Sequence, residues 1–410
     1  MARRIDRSLA SAGLPPLERS TWVEVDTDVL TANARALHSF AHPAALGAVV
    51  KADGYGHGLE MTARCAVTGG AMWLCVADSA EATRLRRDGY GGRIFVLYPV
   101  PSAILSAMAH LRVDVTVGSP AQARALADQP APDDRMLAVH LEIDTGMTRG
   151  GVAPEDAVAA ASAIVAAPSV TLAGLWTHLA APEDTVTTGE QLTRFDSVMA
   201  ELSAAGLDAG AVHVAASGGL LATDTDQHAF VRPGLALYGI HPGAGDPLPP
   251  DVVPALTLKA HPVRIAEVPP GTAVGYAGTW TAGKVSTIAT LPIGYADGWS
   301  RSSSPGTSVL VEGGRAPVVG RVSSDALTVD VTGIAGVGPD SEFTLLGSDG
   351  RDEITADAVA GIRQTISWEV LQQLGARLTR VYTSGSIPIA IRPESTITLL
   401  PAPGTAIPSY

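Results

Sequence analysis

About eight repeats of a short β-type run followed by an alanine-rich helical stretch fill residues 22–240, and few folds accept that rhythm. The runs fall at 48–51, 72–77, 93–98, 113–117, 136–143, 170–176, 212–215 and 236–240. Between most of them lie segments with charges at helical spacing, at 79–87, 120–128, 154–166 and 190–205. Ser79 followed by Glu81 marks one helix start, and Gly89 its end. Repeats of this kind and number predict an α/β chain whose main body is a (β/α)8 TIM-like barrel. A doubly wound open sheet is the competing arrangement, but no G-x-G-x-x-G follows the first run.

The pattern changes after His241-Pro242-Gly243. Residues 243–254 are rich in Gly and Pro and read as a linker. Beyond them come short alternating runs at 257–264, 286–291, 308–311, 316–319, 327–331 and 343–346, broken by one helical stretch at 367–378. That is the signature of a smaller, mostly β domain. The expected division is an N-terminal extension at 1–20, the barrel at 21–252, the β-rich domain at 253–400 and a tail at 401–410. The first 18 or so residues and the tail, both rich in Pro, Ser and Gly, are expected to be poorly ordered.

Hydrophobic residues make up 46% of the 410 and charged residues 17%, so most of the chain should pack into a core. The formal charge of −13 argues against a nucleic-acid or anionic-membrane partner. Two cysteines, Cys65 and Cys75, make no disulfide framework and read as core residues of a reduced, cytoplasmic protein. Residues 157–182 lack Asp, Glu, Lys and Arg, but Pro168 divides them, and a helix followed by a buried strand suits them better than a membrane span. No metal site is expected.

In such a barrel the chemistry sits where strands end. Lys51 closes the first run and faces the loop Ala52-Asp53-Gly54-Tyr55-Gly56-His57-Gly58. Taken alone, a lysine at a strand end is a surface residue. Desolvated at the mouth of a buried strand, it would lose its ammonium form and gain a lone pair for an aldehyde. Arg149 follows the fifth run, His178 the sixth and Ser217 the seventh, and Arg232 is read as opening the eighth. A lysine, two arginines, a histidine and a serine-glycine loop on one rim suit an anionic aldehyde, which describes a pyridoxal 5'-phosphate (PLP) site.

The segment from Val49 to Gly58 resembles the cofactor-lysine motif of the alanine racemases, the fold-type III PLP enzymes. Trp22–Asp26, Asp144–Arg149, Trp176-Thr177-His178, Val231–Tyr238, Gly294-Tyr295-Ala296-Asp297-Gly298 and Gly320-Arg321-Val322 recur in the family's order, and the likeness covers roughly residues 20–395. The resemblance implies a homodimer whose active sites are completed by the partner subunit. Lys51 would hold PLP and act as a base on one face of the substrate Cα, with Tyr295 of the other subunit on the opposite face. Tyr55, Ser217 and the backbone at Gly234 and Leu235 would bind the phosphate. Arg149 would meet the cofactor phenolate oxygen and the substrate carboxylate. Arg232 would face the pyridine nitrogen, with His178 hydrogen-bonded nearby. An arginine there keeps its own proton, so the ring nitrogen should stay unprotonated.

Three positions depart from the family pattern. Many members carry a carbamylated lysine that orients the carboxylate-binding arginine; here Glu142 stands in its place, a carboxylate expected to pair with Arg149. The family's Cys-Met-Asp reads Ser323-Ser324-Asp325, so Ser324 makes the substrate pocket roomier or more polar. Trp368 replaces a tyrosine whose hydroxyl helps hold the phosphate, and indole offers only an N–H. The expected activity is racemisation of a small amino acid, alanine first. Serine or another amino acid is the alternative substrate; an aldolase or decarboxylase on the same fold, or a non-catalytic PLP carrier, are the alternative functions.

Overall fold

The computed structural model describes residues 3–128, 135–243, 245–393 and 398–399, so the expected tail at 401–410 lies outside the described residues. The chain divides into two compact units, one of Val29–Val253 and one made of the residues on either side.

The first unit is the barrel. Its strands are β2 (Ala45–Val49), β3 (Trp73–Val76), β4 (Arg93–Val96), β5 (Val113–Val117), β6 (Leu137–Glu142), β7 (Val170–Trp176), β8 (Ala211–His213) and β9 (Phe230–Val231), β1 (Thr21–Asp26) lying in the other unit. They pair in parallel in the order β8-β7-β6-β5-β4-β3-β2-β9. Ala229 N–H donates to Val212 O at 2.7 Å and Arg232 N–H to Ala215 O at 2.8 Å, which joins β9 to the end of β8 and closes the ring. Helices between the strands start as their side chains dictate. Asp78 caps Ser79–Arg87 by accepting from Ala80 and Glu81, and Asp184 caps Thr185–Ala204 through Val186 and Thr187.

One strand differs from expectation. Residues 236–240 are not the eighth strand; Leu235–Tyr238 is a buried 3-10 turn, and the strand is the two-residue β9 before it. A short apolar run buried all round carries no period, and Pro233-Gly234 separates the two pieces. Arg232 therefore follows β9 and does not open a strand, which puts it at the same rim as the other strand-end residues.

Rings fill the barrel interior. Trp73 stacks on Phe230 with centroids 4.6 Å apart, and Phe95 meets Trp176 edge-on at 5.7 Å. His140 and His213, both fully buried, lie among them.

The second unit is a long, mostly antiparallel sheet. β1 falls within the span 21–252 expected for the barrel, yet it pairs antiparallel with Leu256–Ala260 and parallel with Thr379–Ser384. Trp22, Val23 and Val25 are buried on both faces, as a central strand requires, and such a run does not reveal its partners. The N-terminal segment is also ordered where disorder was expected. Arg4–Ser11 is a helix, because Ile5 and Leu9 sit one turn apart and pack with Leu14, Trp22, Val381 and Ile391. A second helix, Ala356–Arg363, escaped the reading; Thr355 caps it. Among the described residues no helix is long and apolar enough to cross a membrane.

Leu9 has no exposed surface. Leu9→Ala should therefore cost about 3 kcal/mol in urea denaturation; an unchanged midpoint would mean the N-terminal helix is not docked.

Candidate active site

The backbone around Lys51 is held by its neighbours. Val49 N–H donates to Pro233 O at 3.0 Å and Val50 N–H to Cys75 O at 2.9 Å. The next four residues, Ala52, Asp53, Gly54 and Tyr55, have φ of 53°, 55°, 61° and 51°. Three of them carry a Cβ, and left-handed backbone costs each roughly 1–2 kcal/mol. Glu81 offsets part of this. Its carboxylate accepts the N–H of Ala52 at 2.6 Å, of Asp53 at 3.4 Å and of Ala77 at 2.8 Å. The turn brings Tyr55 back against the barrel, stacked on Tyr238 at 4.8 Å, while Tyr238 donates to Val49 O at 2.9 Å.

Donors gather around Gly234. A Cβ there would lie 2.6 Å from the Tyr55 hydroxyl, so only glycine lets the two approach. Ser217 Oγ accepts from Gly234 N–H at 2.9 Å and Ala236 N–H at 3.2 Å, which leaves its own O–H to donate. The Leu235 N–H donates to no described residue. Two hydroxyls and a free N–H in one place suit an anion such as a phosphate.

Positive charge fills the neighbouring space. Arg232 is buried, and its guanidinium lies over Trp176 at 4.8 Å. Its Nη1 donates to His213 Nδ1 at 2.7 Å, and its Nη2 to the carbonyls of Thr177 and Val214, each at 3.0 Å. Its Nε–H has no acceptor among the described residues. Burial pushes the group down to about 10, so it stays a cation at neutral pH. Lys51 Nζ lies 5.7 Å from the centre of the Tyr98 ring, and the Arg149 guanidinium 5.6 Å from the same ring. Burial first, then the charge of Arg149, lowers the Lys51 pKa. His178 is pushed down to about 3 by burial and by Arg232, Arg149 and Lys51, so its imidazole is neutral.

One carboxyl stands among these cations. Glu142 ends β6, is 7% exposed, and presses against Gly150 and Gly118. Contrary to expectation its carboxyl forms no hydrogen bond or ion pair with Arg149 or any other described residue. Arg149 lies over Tyr98 instead. Burial raises the Glu142 pKa to about 7, against the pull of Arg149 and Arg232.

Lys51, Arg149, His178 and Arg232 thus act on one another electrostatically at one rim, as the sequence suggested, and Tyr55, Ser217, Gly234 and Leu235 form the adjoining donor cluster. The set fits PLP: a weakened ammonium for the aldehyde, donors for the phosphate, and a spare Arg232 N–H for the ring nitrogen. Tyr98, Glu81 and His213 escaped the sequence reading. A carboxylate two residues into a helix, after Asp78 has already capped it, was the one available signal for Glu81.

The remaining candidates belong to the β unit. Tyr295 N–H donates to Ser323 O at 3.1 Å and Ala296 N–H to Ser324 O at 2.9 Å, so Tyr295 and Ser324 are neighbours there. The Tyr295 side chain is half exposed. Its turn is rigid, because Asp297 is buried, caps Gly294 N–H at 3.0 Å and pairs with Arg19 at 2.6 Å. Asp325 pairs with Arg377 at 2.8 Å. Trp368 lies half-buried in the helix Ser367–Gln372.

Glu142 carries a pH signature. A free glutamate titrates near 4.3, so between that value and about 7 the folded chain holds a proton that the unfolded chain releases. Stability therefore falls as pH rises through this window, by about 4 kcal/mol in all. Glu142→Gln should be more stable than the parent by up to about that amount at pH 8 and equal to it near pH 4.5. Urea midpoints at the two pH values decide; a gap that does not change with pH contradicts the assignment.

Known proteins carry the same architecture. Residues 25–242 match the family model "Alanine racemase, N-terminal domain", and residues 255–382 match "Alanine racemase, C-terminal domain". The alanine racemase of Desulfovibrio desulfuricans is 36% identical over 368 residues, 89% of this chain and 98% of that one. The crystal structure of the Bacillus anthracis alanine racemase with bound L-Ala-P superposes with a TM-score of 0.86 at 31% identity, covering 92% of this chain and 99% of that one. A histidine racemase from Leuconostoc mesenteroides superposes with a TM-score of 0.82 at 28% identity, covering 90% of this chain and 99% of that one. With both units matched in order and a relative this similar along nearly its whole length, the chain belongs to the alanine racemase family.

Proposed function

We propose that this protein is a PLP-dependent isomerase that interconverts L- and D-alanine, acting as a cytoplasmic homodimer that supplies D-alanine for bacterial cell-wall precursors. The observation that carries the reading is Lys51: a lysine whose ammonium is disfavoured by burial and by Arg149, set beside an anion-binding cluster.

When bound, the cofactor supplies an electron-withdrawing ring that makes the Cα proton of an attached amino acid acidic. The chain's residues do the rest. Lys51 anchors the cofactor aldehyde, and its Nζ then takes or returns the proton on one face of Cα. Tyr295, supplied by a second copy of the chain, does the same through its hydroxyl on the other face. Tyr55, Ser217 and the Leu235 N–H grip the phosphate. Arg232 would offer its Nε–H to the ring nitrogen and, being a permanent cation, would yield no proton to it. Arg149 receives the substrate carboxylate, and Ser324, the neighbour of Tyr295, makes for a roomier or more polar pocket. A neutral His178 adds no further charge to a pocket already crowded with cations.

Ser324 and Trp368 favour a second substrate reading, in which serine or a bulkier amino acid is accepted as well, and the histidine racemase neighbour shows that the name of the substrate varies at this similarity. The test is a panel of L-amino acids incubated with PLP-loaded protein and resolved by chiral chromatography. Alanine should invert fastest. Lys51→Ala should abolish inversion, and Tyr295→Phe should slow it by roughly 10²–10⁴-fold while cofactor binding persists. Inversion of another amino acid with alanine untouched moves the substrate; a loaded protein that inverts nothing removes the enzymatic reading.

A further inference from the structure

Arg232 is the near end of a buried chain of four side chains. Its Nη1 is 2.7 Å from His213 Nδ1, His213 Nε2 is 2.8 Å from His140 Nδ1, and His140 Nε2 is 3.4 Å from Asp114 Oδ2. Both histidines are fully buried, while Asp114 on β5 is 17% exposed at its side chain. The histidine rings cannot swivel freely. His213 stacks between Phe230 at 4.2 Å and Trp176 at 5.7 Å, and His140 lies against Phe95 at 4.6 Å. Gly174 makes the space, since a Cβ there would sit 2.3 Å from His140 Nδ1.

The direction of every proton follows. A guanidinium only donates, so His213 Nδ1 must accept and carry no hydrogen. The proton of a neutral His213 is then on Nε2, and it donates to His140 Nδ1. That leaves the His140 proton on Nε2, aimed at a carboxylate that only accepts. Both ends of the chain demand the same tautomers. Burial lowers the pKa of both rings, in keeping with two neutral imidazoles. In the reverse order His213 would turn an N–H toward the Arg232 N–H where both side chains are buried, and an unmade buried bond is costly.

We propose that Asp114, His140 and His213 are positioning residues that act through Arg232: the chain anchors the guanidinium by Nη1 and reserves its Nε–H for the ligand in the pocket. Only the last clause rests on the racemase reading, with the cofactor ring nitrogen as that ligand. Asp114 reinforces the tautomers from the far end, because without its acceptor the His140 Nε2–H becomes an unmade buried bond and the order imposed by Arg232 is weakened.

Long-range ¹H–¹⁵N spectra of the cofactor-free protein, labelled at its 10 histidines, test this without any turnover. His140 and His213 should both be neutral with the proton on Nε2. Asp114→Ala should turn His140 into a tautomer mixture and weaken PLP binding, read by absorbance titration, about tenfold. Asp114→Asn keeps an oxygen acceptor and should restore both the single tautomer and the affinity. A parent protein with a proton on His213 Nδ1, or with either ring charged at pH 7, overturns the proposal even if no variant folds. So does an Asp114→Ala protein with unchanged tautomers and affinity. Because the spectra need no substrate, a failed racemase assay leaves this result standing, and the reverse also holds.

Discussion

Positive charge crowded onto the strand ends of one barrel is the constraint that orders the site. Arg149 acts there on both Lys51 and Arg232, and burial holds the carboxyl among them, Glu142, near the midpoint of its titration at neutral pH. Arginine cannot relieve such crowding by losing a proton, whereas lysine can. The strain therefore falls on Lys51, the residue whose free amine is the useful one. Burial first, and then the same crowding, keeps His178 neutral, and the cations leave the pocket with a standing attraction for an anion.

That arrangement needs support from below and from the side. Below it, a layer of rings and the two buried histidines hold Arg232 without a carboxylate partner, so its charge stays available to the pocket. At the side, Glu81 stabilises a left-handed turn that the sequence Ala52-Asp53-Gly54-Tyr55 would not adopt by itself. Strained backbone that is held by a half-buried carboxylate beside a reactive lysine is the pattern expected at a functional site.

Much of this was legible because strand ends of a barrel are functional positions whatever the side chains are. Counting β-α repeats was enough to put Lys51, Arg149, His178 and Ser217 on one rim. Arg232 was found too, though next to the wrong strand, since two residues of β9 leave almost no periodic signal beside the apolar turn that follows. What stayed hidden depends on partners far apart in sequence. The β1 run reads as a buried strand in any sheet, and only its pairing with Leu256–Ala260 reveals which. His140 occupies an inward strand position that reads like one more core residue until His213 is seen beside it. Glu142 was expected to pair with Arg149, but whether two side chains meet across a loop with positive φ at Thr148 is a matter of ångströms that no pattern encodes.

The chain has three lysines, Lys51, Lys259 and Lys284. Lys259 is committed to an ion pair with Glu24 at 2.7 Å, whereas burial and the charge of Arg149 disfavour the ammonium of Lys51. Reduction of the PLP-loaded protein with borohydride, followed by peptide mass mapping, asks directly which amine meets the aldehyde. The account predicts one stable adduct, on Lys51. An adduct on Lys259 or Lys284, or none at all, would contradict it.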